Sequence, residues 1–273
     1  MKNQPFCPTL LPENPPFRCC SGASEPRYPR IVKTNPIAKE RWMMPEIDPE
    51  IQTGAAREDQ LAEAEARRVF YDFIAEFLTR VVPVPGEDYV RQIIDSFGWM
   101  TEEPLEEGEA ADALRRARSL VKADPQAEQL ALAKARTALV QGMAQDSRVK
   151  PPFEALYLTA SDAVDHIATV AGEYRAAGYE MLPENRNRPD SLATECRFMA
   201  TLCRAENAAI AECDVPALVA SQAAQRRFLE NHLGAWAPRF CEDAADATTS
   251  SVLKGVLLFA RDFLADECAA ACA

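Results

Sequence analysis

From about residue 55 onward, apolar residues recur at three- and four-residue spacings with polar residues between them, the period of helices that bury one face. Phe70, Phe73, Ile74, Phe77, Leu78 and Val81 form one continuous stripe. Glu58, Asp59 and Glu63 lie in the early turns of that helix, where negative charge suits its dipole. Pro83 and Pro85-Gly86 stop it. Tyr89, Val90, Ile93, Ile94 and Phe97 predict a second helix. After an acidic turn around 102–109, two more are expected near 109–122 and 126–145, and Pro151-Pro152 closes this half of the chain. A helix over 161–177 follows, with Ser161 as its N-cap and Gly178 just past its end. Residues 178–189 have no period and read as a loop. Asp190 is placed to cap a helix burying Leu192, Cys196, Met199, Leu202 and Cys203, and helices near 215–236 and 249–268 complete the set. No period-two strand of useful length and no internal repeat is visible. The pattern predicts an all-α fold: a compact bundle of eight or more helices.

The first 42 residues are different. They hold eight of the 20 prolines and three of the nine cysteines, and seven basic against three acidic residues make them +4, leaving −16 of the total −12 for the remainder. Such a segment reads as a disordered tail, taken to extend to residue 54 with the helical domain spanning 55–273. Met43 and Met44 are alternative starts for translation, and the start is left open. No apolar run approaches the roughly 20 residues that cross a bilayer, and no secretory signal pattern opens the chain, so the expected location is cytoplasmic.

An acidic balance of −12 disfavours non-specific nucleic-acid binding, which needs basic surface, and suits a basic partner segment. The nine cysteines form no Cys-x-x-Cys and only two histidines are present. There is thus no local signature of a zinc or iron–sulfur site, and no metal or cofactor is expected. Cys196 and Cys203 read as small buried hydrophobes. Phosphate-binding, dinucleotide, nucleophile-elbow and zincin motifs are all missing. His166 and His232 are too far apart in sequence to argue a shared site, and no enzymatic activity is expected.

Three segments stand apart. Pro151-Pro152-Phe153-Glu154 is backed by Leu156 and Tyr157. Pro189-Asp190-Ser191 is followed by Glu195, Phe198, Met199 and Leu202. Phe228, Leu229, His232, Leu233 and Trp236 form a third element, extended by Pro238 and Phe240. In this order and spacing they resemble the TorD/DmsD/NarJ-like chaperones that mature molybdenum-containing oxidoreductases. Tyr71 and Ile74 match an early element of that family loosely, so the likeness covers about residues 60–266. Two departures stand out: Ser191 occupies the place of the family's histidine, and the acidic residue before it is displaced to Glu184, with Arg186 and Arg188 between.

The resemblance implies a non-enzymatic cytoplasmic chaperone without a cofactor of its own. Its partner would be the catalytic subunit of a molybdopterin oxidoreductase, held in its apo form with its N-terminal twin-arginine leader until it is loaded for export. The residues expected to meet client and leader are Asp190, Ser191, Glu195 and Glu154 on the polar side, with Phe153, Tyr157, His232 and Trp236 on the apolar side. A carboxylate facing a guanidinium makes charge-assisted, bidentate bonds. Simpler roles stand beside these: Asp190 as an N-cap, worth about 1 kcal/mol, and His232 and Trp236 as an i,i+4 packing pair. Two other readings remain open. One is a cofactor-insertion chaperone for a non-exported, nitrate-reductase-like client, which the altered Asp190-Ser191 element keeps open. The other, from a different class, is a cysteine-based redox or metal-responsive helical regulator.

Overall fold

The computed structural model describes residues 17–19, 54–84, 88–98, 108–141, 149–158, 162–182 and 187–272. Ten α-helices lie among the described residues: α1 (Gly54–Thr79), α2 (Asp88–Ser96), α3 (Glu109–Ala123), α4 (Pro125–Val140), α5 (Glu154–Leu158), α6 (Ala163–Ala176), α7 (Leu192–Glu212), α8 (Val215–Phe228), α9 (Gly234–Ala247) and α10 (Ser251–Cys272). A π-helical turn, Leu229–Leu233, joins α8 to α9. The fold is all-α. Two three-residue strands accompany it: β1 (Phe17–Cys19) pairs antiparallel with β2 (Tyr179–Met181), Phe17 opposite Met181 and Cys19 opposite Tyr179. Neither strand was expected. Three residues are too few to display a period, and β1 lies inside the segment read as a disordered tail; the rest of residues 1–53 falls outside the described residues.

Helix α1 runs along α7, α7 along α8, and α10 lies between α3 and α9. The stripe on α1 is buried at Phe73, Ile74, Phe77 and Leu78, whereas Val81 lies past the helix end and is exposed. Phe70 packs its ring against Phe259 and Phe263, and Phe97 meets both Phe73 and Phe259, so α1, α2 and α10 share one aromatic core. A second aromatic group, Tyr174, Phe198 and Phe228, ties α6 to α7 and α8. Full burial of side chains of this size stabilises by about 1.5–3 kcal/mol each. A buried polar clamp holds α1 to α7 and α8: Glu206 accepts from Arg67 Nη2 at 2.8 Å and from Gln225 Nε2 at 2.8 Å.

The helix boundaries follow local chemistry. Asp162, rather than Ser161, caps α6 through the Asp165 N–H, and Ser161 lies outside the described residues. Gly178 follows α6 at φ +86°, the left-handed conformation that glycine adopts without a Cβ penalty. Ser191 caps α7, its Oγ accepting from the Thr194 N–H at 3.2 Å; Asp190 does not cap that helix. The stretch expected as one helix over 215–236 comprises α8, the π turn and the first residues of α9, and α9 continues through residues 237–247, which were not expected to be helical. Pro238 lies inside α9, where it can donate no N–H to a carbonyl one turn earlier. The π turn immediately upstream carries a wider bond, from the Gly234 N–H to the Leu229 carbonyl.

Candidate functional site

The three segments singled out in the sequence meet in space. The Glu154 N–H donates to the Asp190 carbonyl at 2.8 Å, and the Leu192 N–H donates to the Pro152 carbonyl at 3.0 Å. Phe153 and Ser191 face each other in an isolated antiparallel bridge. This short zipper exists because Pro152 and Pro189 keep their segments extended and out of helix. The Asp190 side chain then turns toward α5, where Oδ2 accepts from the Ala155 N–H at 3.3 Å. Its carboxylate therefore serves the first turn of a different helix from the one that follows it in sequence.

Arg188 completes that corner. Its Nε donates to Asp190 Oδ1 at 2.9 Å and its Nη2 to Oδ2 at 2.7 Å, a two-pronged fork. The same guanidinium lies 4.2 Å from the centroid of the Phe153 ring, within cation–π range. Asp190 is fully buried, whereas 39% of the Arg188 side chain remains exposed. A cleft of about 200 Å³ opens beside it, lined by Leu78, Thr79, Val140, Pro152, Phe153 and Ala193 among others.

Behind this corner lies a buried polar cluster. Glu154 is wholly inaccessible, with Oε1 at 2.9 Å from His232 Nδ1. His166 Nε2 approaches the same Oε1 at 3.1 Å, yet this buried nitrogen makes no hydrogen bond. The Trp236 indole N–H donates to Glu195 Oε2 at 3.0 Å, while Glu195 Oε1 is buried without a partner. Burial first, then the charge of Glu154, holds the Glu195 carboxyl well above the usual carboxylate range. The shift favours the neutral, protonated form of the Glu195 carboxyl. Phe228 stacks on His232, with ring centroids 5.0 Å apart.

Of the eight residues expected to meet a client, Asp190, Ser191, Glu195, Glu154, His232 and Trp236 are buried, and Phe153 and Tyr157 are partly exposed. Tyr157 stacks near Trp236, its ring centroid 5.4 Å away, and exchanges hydrogen bonds with the Lys150 backbone. Burial pushes the Tyr157 hydroxyl up to about 12. His166, Arg188 and Tyr174 were not expected to take part. Tyr174 donates to the Pro189 carbonyl at 2.6 Å and so fixes the turn that presents Asp190. Nothing in the spacing of His166 and His232 announces that their rings lie 6.3 Å apart.

A family model described as nitrate reductase delta subunit matches residues 102–242, just over half of the chain and every segment of this site. The chain belongs to that family. Members of the nitrate reductase delta subunit family, the NarJ/TorD type, are chaperones of molybdoenzyme maturation rather than catalytic enzymes. No curated protein and no solved structure matches the chain. Among the described residues, no helix of this delta-subunit chaperone is long and apolar enough to cross a membrane.

Proposed function

We propose that this chaperone works in the cytoplasm, binding the apo catalytic subunit of a molybdopterin oxidoreductase together with its N-terminal twin-arginine leader during cofactor insertion and before export. The observation that carries this reading is the seat of Arg188: a buried carboxylate fork from Asp190 with the Phe153 ring beneath it. Those two groups suit any guanidinium, and Arg188 is exposed enough to leave. A leader arginine takes its place on Asp190 and Phe153, and the neighbouring cleft, walled by Leu78, Val140 and Ala193, receives apolar leader residues. Tyr157 extends the contact surface. Glu154, Glu195, His232, Trp236 and Ser191 act by holding the seat in shape. The net charge of −12 favours encounter with a basic leader.

The test is leader-peptide binding by fluorescence anisotropy. Arg188→Ala empties the seat and should tighten binding at least threefold, while Phe153→Ala should weaken it; unchanged affinity in both would remove the seat from recognition. A second reading has one specific support. Ser191 is occupied as the cap of α7 and does not replace the family's imidazole, which favours a client gripped by its body and lacking a leader. Affinity purification from the native cytoplasm separates the two: a leader-bearing oxidoreductase subunit supports the first, a leaderless one the second.

A further inference from the structure

Glu154, His166 and His232 come from the first turn of α5, from α6 and from the π turn, the last far from the other two in sequence. Their carboxylate oxygen and two ring nitrogens all lie within 4.8 Å of one another. We propose that these three side chains form a binding site for one zinc-class divalent metal ion, with a fourth position open on the His166 side. This goes beyond the chaperone reading and does not depend on it.

The donor set is two imidazoles and one carboxylate, which is the set zinc takes in sites that keep one position free. Zinc bonds of about 2.0–2.2 Å place tetrahedral ligand atoms about 3.3–3.5 Å apart. Glu154 Oε1 already stands 2.9 Å from His232 Nδ1 and 3.1 Å from His166 Nε2. Both carboxylate edges need to open by a few tenths of an ångström, and the edge between the two ring nitrogens, which lies within 4.8 Å, needs to settle to the same length. The His166 nitrogen is the telling atom: it is buried, 3.1 Å from the carboxylate oxygen and without a hydrogen bond. A buried polar atom left unpaired costs free energy, and a metal bond would satisfy it.

The surroundings fit the same role. The Glu154 backbone is fixed by its bond to the Asp190 carbonyl, and Phe228 fixes the plane of His232. The π turn supplies His232, and single π-helical turns within helices recur at functional sites. Glu154 is inaccessible and the His232 side chain is 6% exposed, but His166 is 16% exposed, which gives the ion a way in. Asp162 and Asp165 flank that approach on the exposed start of α6, where their charge attracts cations.

The test uses the full chain, reduced and freed of metal with a chelator, titrated with Co(II) and then Zn(II). One equivalent should bind with the visible d–d bands of a tetrahedral nitrogen and oxygen site and without the near-ultraviolet thiolate charge-transfer band. Zn(II) should raise the melting temperature of the wild type. His166→Ala, at a partly exposed position, should keep its far-ultraviolet circular dichroism. Loss of an outer-shell partner alone costs about 10–100-fold in affinity, so loss of this ligand should weaken binding more than roughly 100-fold. Glu154→Gln should do the same if it folds. Absence of saturable one-equivalent binding, a thiolate band, or undiminished binding by His166→Ala would each overturn the assignment. None of these outcomes bears on leader binding.

Discussion

Trp236 donates its indole N–H to Glu195 Oε2 across 3.0 Å, and the two side chains are sealed from solvent between α7 and α9. Burial, then the charge of Glu154, pushes the acceptor carboxyl toward its protonated form. An amide of the same shape should therefore replace it with little loss. Glu195→Gln is expected to fold with stability within about 1 kcal/mol of wild type. Trp236→Phe removes the donor and part of the ring, and should cost about 2–3 kcal/mol. Urea unfolding followed by circular dichroism measures both, and a larger loss for Glu195→Gln than for Trp236→Phe would count against an uncharged Glu195.

Gly234 sits where the π turn passes α10. A methyl group there would collide with Cys268 Sγ and stand 2.6 Å from the Leu229 carbonyl oxygen. The sulfur can swing away, but the backbone oxygen cannot. Gly234→Ala is expected to destabilise by about 1–3 kcal/mol through overpacking, despite alanine's better helix propensity. Cys268→Ala in the same background should recover only part of that loss.

The cysteines divide sharply. Cys196, Cys203 and Cys241 are buried and unbridged, and Cys213 is exposed. Burial pushes the Cys241 thiol up to about 12 and the Cys196 thiol well above its ordinary value. A raised pKa leaves less thiolate, and the thiolate is the nucleophile. At pH 8, iodoacetamide should therefore modify Cys213 while sparing Cys196, Cys203 and Cys241 until the protein is unfolded, as mass spectrometry of tryptic peptides would reveal. Rapid native labelling of the buried three would instead favour the cysteine-based regulator.

Glu267 accepts from the Tyr71 hydroxyl at 3.0 Å. Burial raises its pKa above the ordinary glutamate value, against the opposing charge of Arg67. The folded state thus holds this proton to higher pH than the unfolded state does. That contribution to stability is complete below the unfolded pKa and is lost as pH rises through the folded one. Glu267→Gln cannot ionise and keeps the Tyr71 bond. Its stability relative to wild type should increase as the pH is raised above the ordinary glutamate pKa of about 4.3, measured by denaturant unfolding at a series of pH values.

Periodicity located α1, α2 and α7 because each buries a broad apolar face, and faces of that kind are written in three- and four-residue spacings. It missed residues 237–247 of α9 for a definable reason. A proline removes a donor from a helix interior, yet Pro238 lies in α9 just beyond a turn whose wider π bond ends at Gly234. Val81 matched the stripe but lies beyond the helix end, since spacing alone does not register where Pro83 takes the chain. Asp190 was legible as a helix cap, though not which helix it serves: the chain crosses back to α5 only in three dimensions.

The sequence by itself determined the helical class, the acidic charge, the order of the three site segments and, through them, the family resemblance. These depend on neighbours within a few residues or on pattern along the chain. Only the tertiary structure decided that Glu154 lies between His166 and His232, that Arg188 occupies Asp190 and Phe153, and that burial pushes the Glu195 carboxyl toward its neutral form. Each of these depends on pairing across long stretches of chain and on the removal of water from the paired groups. Burial sets the cost of an unpaired charge, and burial exists only once α5, α6, α7 and α9 have closed around the site.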